Sequence, residues 1–285
     1  MTGLLALVRR FGAGWRGILA VGVMSLALAG CASQSDKEDV TLDSTPPEQM
    51  YNEGLALMNE GKFTRALKRF EDLDRTHPYS DWSRKAILMQ AYSSHQVGAY
   101  TDSISAAKRY ITLYPANEDA PYAMFLIGEG YFKQMPDVSR DQDLTKRAQA
   151  AYQEILQRYP QSSYAGEARK RIEITRDQIA GQEMFVGRYY LDKRQYLASI
   201  NRFKTVVSEY QTTRHVEEAL ARLVECYFAL GVATEAQTAA AVLGHNFPES
   251  QWYKDSYKLL ASGGLEPRES GDSWISKAFK GFKVF

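Results

Sequence analysis

One offset recurs along most of this chain. Gly54, Gly61, Phe63, Ala66, Phe70 and Pro78 are followed by Ala91, Gly98, Tyr100, Ser103, Ala107 and Pro115, each displaced by 37 residues. A displacement shared by so many positions means that the chain is built from copies of one unit, which must be recognised before any residue is interpreted alone. A third copy holds Gly128, Ala148, Tyr152, Ile155 and Pro160, lengthened by a loop at Met135-Pro136-Asp137-Val138-Ser139-Arg140-Asp141. A fourth holds Gly187, Tyr196, Ser199, Phe203 and Tyr210-Gln211, and a fifth Tyr227, Gly231, Ala236, Leu243 and Pro248. The pattern within each copy predicts a first helix carrying a small residue or aromatics, a short turn often holding Gly, and a second helix with Ala or Ser. An aromatic-Pro pair then stops that helix, because proline cannot donate the helical hydrogen bond and disfavours helix in the residue before it. Pro121 sits where a first-turn proline is welcome. Ser80-Asp81, Asn117 and Ser162-Ser163 offer side-chain oxygens to the helix starts that follow.

The plan resembles the tetratricopeptide repeat, whose usual period is about 34 residues. A small residue opposite Ala or Ser lets two antiparallel helices approach closely, while Phe70, Tyr152 and Phe203 fill the space between neighbouring pairs. No pair buries both faces alone, so the expectation is an all-α, right-handed solenoid of about five helix hairpins. Between the third and fourth copies, Tyr164 to Tyr190 reads as one long helix or two nearly fused ones. It would divide the solenoid into repeats one to three (48–163) and repeats four and five (164–261). After Ala261 the glycines at 263, 264 and 271 and Pro267 suggest that the fold ends nearby. The tail, 262–285, still places Trp274, Ile275, Ala278, Phe279 and Phe282 near helical spacing with Lys277, Lys280 and Lys283 between them. Such a basic amphipathic segment either touches lipid head groups or a partner, or packs back on the last repeat.

Ahead of the repeats, Arg9, Arg10 and Arg16 precede Ile18 to Ala29, an apolar run of 12 residues. That is too short for a spanning helix, which needs about 20. The run ends in Leu28-Ala29-Gly30-Cys31, which resembles the lipobox at which bacterial lipoproteins are cleaved and acylated. Residues 1–30 are therefore expected to be a signal peptide, and Cys31 the lipidated first residue of the mature chain. By the usual sorting pattern, Ala32 in place of Asp directs such a protein to the outer membrane. Residues 31–47 are polar and close on Pro46-Pro47, so they read as a lipidated flexible tether reaching at most about 55 Å.

Removing residues 1–30 takes away three arginines and no acid, which moves the formal charge from +1 to −2. No basic field remains to attract nucleic acid. Cys226, in Leu223-Val224-Glu225-Cys226-Tyr227-Phe228, reads as a buried small hydrophobe. His77, His95, His215 and His245 are scattered without a second ligand at metal spacing. Gly128-Glu129-Gly130 follows no predicted strand, Gly61-Lys62 lacks its Walker partner, and no nucleophile elbow occurs. The expectation is no catalytic residues, no metal and no cofactor: a chain that binds and does not turn over.

In such a solenoid the first helices line a concave groove. The repeat register places Tyr51, Leu55 and Met58, then Leu88, Tyr92 and His95, then Tyr122, Phe125 and Phe132 along one wall, with Leu55, Leu88 and Phe125 expected to be inter-repeat core. The rest, Tyr51, Met58, Tyr92, His95, Tyr122 and Phe132, would suit an extended peptide with aromatic or apolar side chains.

The lipobox, the tether, the five units with their long third loop, and the segments Tyr51-Asn52-Glu53-Gly54, Arg140-Asp141-Gln142, Tyr159-Pro160-Gln161-Ser162 and Ile200-Asn201-Arg202 together resemble the BamD family of outer-membrane protein assembly lipoproteins. That resemblance implies a non-enzymatic scaffold on the periplasmic side of the outer membrane. Its implied partners are the BamA barrel subunit, accessory Bam lipoproteins and unfolded outer-membrane protein precursors. It implies that the N-terminal repeats recognise precursors and the C-terminal repeats hold the barrel subunit, which directs attention to Asn201 and Arg202. The alternative role for Arg202 is an intramolecular pair with Glu209 or Glu218. Two competing readings are a periplasmic repeat adaptor coordinating cell-wall synthesis with envelope constriction, and a lipoprotein hydrolase. Relatives of the adaptor usually carry a coiled coil and no lipobox, and the hydrolase would need a catalytic domain that the sequence lacks.

Overall fold

A computed structural model describes residues 44–280. The expected signal peptide, Cys31, nearly all of the expected tether, and Phe282 and Lys283 lie outside the described residues. Twelve helices follow one another within them: α1 (Pro47–Asn59), α2 (Phe63–Thr76), α3 (Asp81–Gln96), α4 (Tyr100–Leu113), α5 (Ala120–Phe132), α6 (Asp143–Arg158), α7 (Ala165–Asp192), α8 (Tyr196–Glu209), α9 (Val216–Ala229), α10 (Ala233–Asn246), α11 (Gln251–Ser262) and α12 (Trp274–Phe279). Each packs against the next from α1 to α10, the arrangement of stacked helix hairpins. Pro121 occupies the first turn of α5.

The repeated residues set this geometry in two ways. The short turns reverse through a left-handed residue, at Gly61, Gly98 and Gly231 (φ +72°, +79° and +73°). Each is followed by the amide that closes the helix on a carbonyl five residues back: Lys62 on Leu57 at 2.8 Å, Ala99 on Ser94 at 2.9 Å and Val232 on Tyr227 at 2.9 Å. Glycine takes that conformation without steric cost. The helices of a hairpin are also bolted across their buried faces. Ser103 Oγ donates to the carbonyl of Ala91, and Ser199 Oγ to that of Gly187, both at 2.8 Å.

Of the expected helix caps, Ser80 accepts from the Ser83 amide at 3.0 Å. Asn117 does not cap α5, which starts without a side-chain cap; it accepts the Asp119 amide at 3.0 Å and the Tyr110 hydroxyl at 2.8 Å in the turn ahead of it. Ser162 and Ser163 do not cap: α7 starts without a side-chain cap, and the buried Ser162 Oγ has no hydrogen-bond partner.

α7 is one continuous helix of 28 residues. It packs on α6 of the third unit and on α8 of the fourth, and the described residues from Thr45 onward form a single unit with no division at α7. The long third loop helps to hold it. Gln142, 1% exposed, donates through Nε2 to the carbonyls of Asp137 (2.9 Å) and Arg140 (3.0 Å), and Gln178 of α7 donates to the Pro136 carbonyl at 2.8 Å.

The expected end near Ala261 is corrected by α11 and α12. After Gly264 the chain turns back, and Ile275 (0% exposed) and Phe279 (8%) enter the core formed by α8, α9 and α10. The apolar face of the basic segment is therefore spent inside the molecule, because the last hairpin would otherwise leave that side of its core open.

Candidate binding groove

The first helices touch their counterparts in the next unit, α1 against α3 and α3 against α5, whereas the second helices approach one another less closely. The first helices therefore line the inner side of the curve. Along it the 37-residue register creates rows. Met58, His95 and Phe132 form one, Tyr51, Leu88 and Phe125 another, and Leu55, Tyr92 and Glu129 a third.

The aromatic members are half-buried and lean on rings from neighbouring elements. Tyr51 packs on Phe70 (5.7 Å between centroids) and Trp82 (5.3 Å). Tyr92 meets the edge of Phe63 at 6.1 Å, and Tyr122 stacks on Tyr164 at 5.3 Å. Burial pushes the phenols of Tyr51 and Tyr122 up, so both stay protonated and can donate. Leu88 is core at 4% exposure, while Leu55 is partly buried against the core cluster of the first unit and Phe125 against that of the third.

His95 lies edge-on to Tyr100 (5.3 Å), and its Nε2 is buried without a hydrogen-bond partner. Burial lowers its basicity, opposed in part by the nearby Glu129 carboxylate.

Phe132 is less available than its row suggests, because the Arg171 guanidinium lies 4.6 Å over its ring. That Arg is held by Glu129, which accepts from Arg171 Nε and from the Tyr152 hydroxyl, both at 2.7 Å. Glu129 is 7% exposed, so this ion pair replaces aromatic surface in the third unit. Sequence reasoning missed it, although the offset from Tyr92 leads directly to Glu129.

From α7 onward ion pairs join the rings on the inner wall. Arg188, at the place of Tyr92, donates to Glu218 at 2.9 Å. Arg222 grips Glu225 with two contacts of 2.9 Å and lies 5.0 Å over the Trp252 ring. Both contacts come from Nη1, while Nε of the same guanidinium reaches Glu218 at 3.4 Å. Tyr51, Tyr92 and Tyr122 thus lie in units one to three, while from Glu129 onward the Tyr92 position carries paired charge, with Phe185 and Tyr189 exposed beside Arg188 on α7.

Asn201 and Arg202 stand elsewhere, exposed on α8. Arg202 pairs with Glu183 at 3.2 Å and not with Glu209 or Glu218, since Glu218 is already engaged by Arg188 and Arg222. Its side chain remains 44% exposed, leaving guanidinium surface for a partner. Cys226 is buried, and burial pushes its thiol up to about 11, which makes it a packing residue.

The chain matches the family model for YfiO, described as an outer membrane lipoprotein, over residues 43–243. It is 43% identical to the outer membrane protein assembly factor BamD of Caulobacter vibrioides, across 87% of this chain and 82% of that one. The BamD proteins of Rickettsia prowazekii (37% identical) and Neisseria meningitidis serogroup A (32%) align with 85% of this chain and 95% of their own. Among solved structures, a thermophilic TPR protein of Thermus thermophilus covers 76% of this chain and 100% of its own at 16% identity with a TM-score of 0.35, an overlap too loose to bear on function.

Proposed function

The chain belongs to the YfiO family of outer membrane lipoproteins, which includes the BamD outer membrane protein assembly factors, and from that premise we propose that it is a scaffold with two chemically distinct binding regions. The first three units receive extended, aromatic-rich segments of unfolded outer-membrane protein precursors. The fourth and fifth, with Asn201 and Arg202, hold a BamA-like barrel subunit, in company with accessory Bam lipoproteins. Lipidation at Cys31 keeps the molecule on the periplasmic face of the outer membrane, and the tether lets the solenoid stand away from it. The work is done by grip, without bond-making chemistry.

The observation that carries this reading is that partly exposed Tyr51, Tyr92 and Tyr122 belong to the first three units, whereas the pairs Arg188–Glu218 and Arg222–Glu225 belong to the last two. Half-exposed rings supply large contact area with little side-chain entropy to lose, which suits an unfolded chain that offers only its side chains. Fixed charges pre-positioned by their neighbours suit a folded partner whose own charges are in place.

Purification from membranes tests the reading. The full-length protein should co-elute with the barrel subunit, and Arg202→Glu should reduce that recovery at least about tenfold while helix content stays unchanged. Glu183 is 13% exposed and would face a second carboxylate in Arg202→Glu, so Arg202→Ala is measured beside it, and loss of recovery counts only where the melting temperature is unchanged. Undiminished recovery would remove Arg202 from the interface.

A further inference from the structure

The repeat pattern has one exception at the residue that closes each second helix. Pro78, Pro115, Pro160 and Pro248 hold this place in units one, two, three and five, and Gln211 holds it in the fourth. The backbone does not explain the difference. In the fourth unit the Thr213 amide donates to the Tyr210 carbonyl at 3.0 Å. The proline-bearing turns carry the same bond, Ser80 to His77 (3.1 Å), Asn117 to Tyr114 (3.1 Å), Ser162 to Tyr159 (3.0 Å) and Ser250 to Phe247 (3.1 Å).

Glutamine has a side-chain amide that proline lacks, and here that amide is used. Gln211 Nε2 donates to the carbonyl of Ala278 at 2.8 Å. Ala278 lies in the last turn of α12, where helix carbonyls have no donor of their own. The rest of α12 is met just as specifically. Trp274 Nε1 donates to the Tyr227 hydroxyl of α9 at 3.0 Å, and Lys204 of α8 lies 5.0 Å over the Trp274 ring. Ser273 caps the helix by accepting the Ile275 amide at 3.1 Å, and its hydroxyl donates to Glu235 of α10 at 2.6 Å. The approach is tacked down as well: Gln237 Nε2 donates to the Glu266 carbonyl (2.8 Å), and the Arg268 amide to the Gln237 carbonyl (3.3 Å).

We propose that α8, α9 and α10 form a receptor site for the C-terminal helix of this same chain, and that Gln211 is the residue by which the fourth repeat was adapted to it. The segment acts as a clamp across the joint between units four and five. Both units contribute to its seat, so neither can tilt against the other while Ile275 and Phe279 are in place. The three α12 side chains Trp274, Ile275 and Phe279 are committed to this seat, which leaves Lys277 and Lys280 as the outward face of the segment.

Hydrogen exchange on the full-length protein tests the clamp. Gln211→Leu removes the side-chain donor and keeps the backbone amide, and Gln211→Pro restores the residue of the other repeats, removing the backbone N–H as well. Each should accelerate exchange of amides 274–280 by about tenfold and speed tryptic cleavage after Lys277 in parallel. Pro248→Gln, the mirror change in unit five, should leave both unchanged. Trp274→Ala should extend the faster exchange into α8 and α10. Protection at 274–280 that survives Gln211→Leu would overturn the role of Gln211, and α8 and α10 indifferent to Trp274→Ala would overturn the clamp.

Discussion

The ring of Phe70 lies so close to Gly54 that a methyl group on the glycine would sit 2.5 Å from ring carbon Cε1. The contact recurs at the same 2.5 Å between Gly187 and Phe203, also sixteen positions apart, and between Gly128 and Tyr152 across the longer third loop. In the second unit the corresponding residues are Ala91 and Ala107, small on both sides. In units one, three and four the seam is thus filled by a ring of the second helix over a glycine of the first, and in unit two by two small residues, because interiors are packed too densely to accept two large partners.

Gly54→Ala should therefore destabilise the protein by about 1–3 kcal/mol, the usual cost of overpacking. Urea unfolding of Gly54→Ala, Phe70→Leu and the double variant measures the coupling. The double variant should lose less than the sum of the singles, and strict additivity would show that the two residues do not share this space.

Arg194 has φ +56° at the turn position that is glycine in units one, two and five. The backbone there closes in the same way, with the Gln195 amide on the Tyr190 carbonyl at 2.9 Å. A side chain in the left-handed region costs about 1–2 kcal/mol, so Arg194→Gly should stabilise by about 1 kcal/mol and raise the melting temperature by a few degrees. A lower melting temperature would mean that the Arg side chain contributes more than its backbone costs.

Acid should weaken the fold before carboxylates protonate. Burial holds the basicity of both His95 and His215 below normal, against partial opposition from Glu129 and Asp177 respectively; Asp177 Oδ1 is 3.7 Å from His215 Nε2. The unfolded chain takes up these protons near pH 6.5, about the ordinary histidine value. Stability is thus fully present above that pH and declines as pH falls through it towards the folded values, since the unfolded state binds more protons there. Melting curves between pH 7.5 and 5.5 should show this slope, and His95→Gln with His215→Gln should flatten it. An unchanged slope in the double variant would assign the acid sensitivity elsewhere.

Much of this was legible in the chain because the repeat is visible in single residues. The displacement of 37 located the hairpins, the turn glycines and the rows of the groove, and the long helix between units three and four emerged as Ala165–Asp192. What stayed hidden depends on pairs distant in sequence. Nothing near Arg171 announces that it crosses to Glu129, and nothing near Ala278 announces Gln211, sixty-seven residues earlier. The basic tail has the periodicity of a lipid-binding segment and of a docked helix alike, and only the open side of the last hairpin core decides between them. Ser162 shows the converse: a good capping residue is no cap unless the turn aims its hydroxyl at the helix start.

The central claim, that the aromatic wall of the first three units receives apolar precursor segments, is tested most directly by photocrosslinking. A photoreactive phenylalanine in place of Tyr92, on the inner wall, and another at Thr101, exposed on the second helix α4, are presented with a synthetic aromatic-rich peptide from an outer-membrane protein precursor. The account predicts adducts at position 92, suppressed by Tyr51→Ser with Tyr122→Ser, and none at position 101. Equal labelling at both positions, or none at 92 with a peptide that still binds, would contradict it.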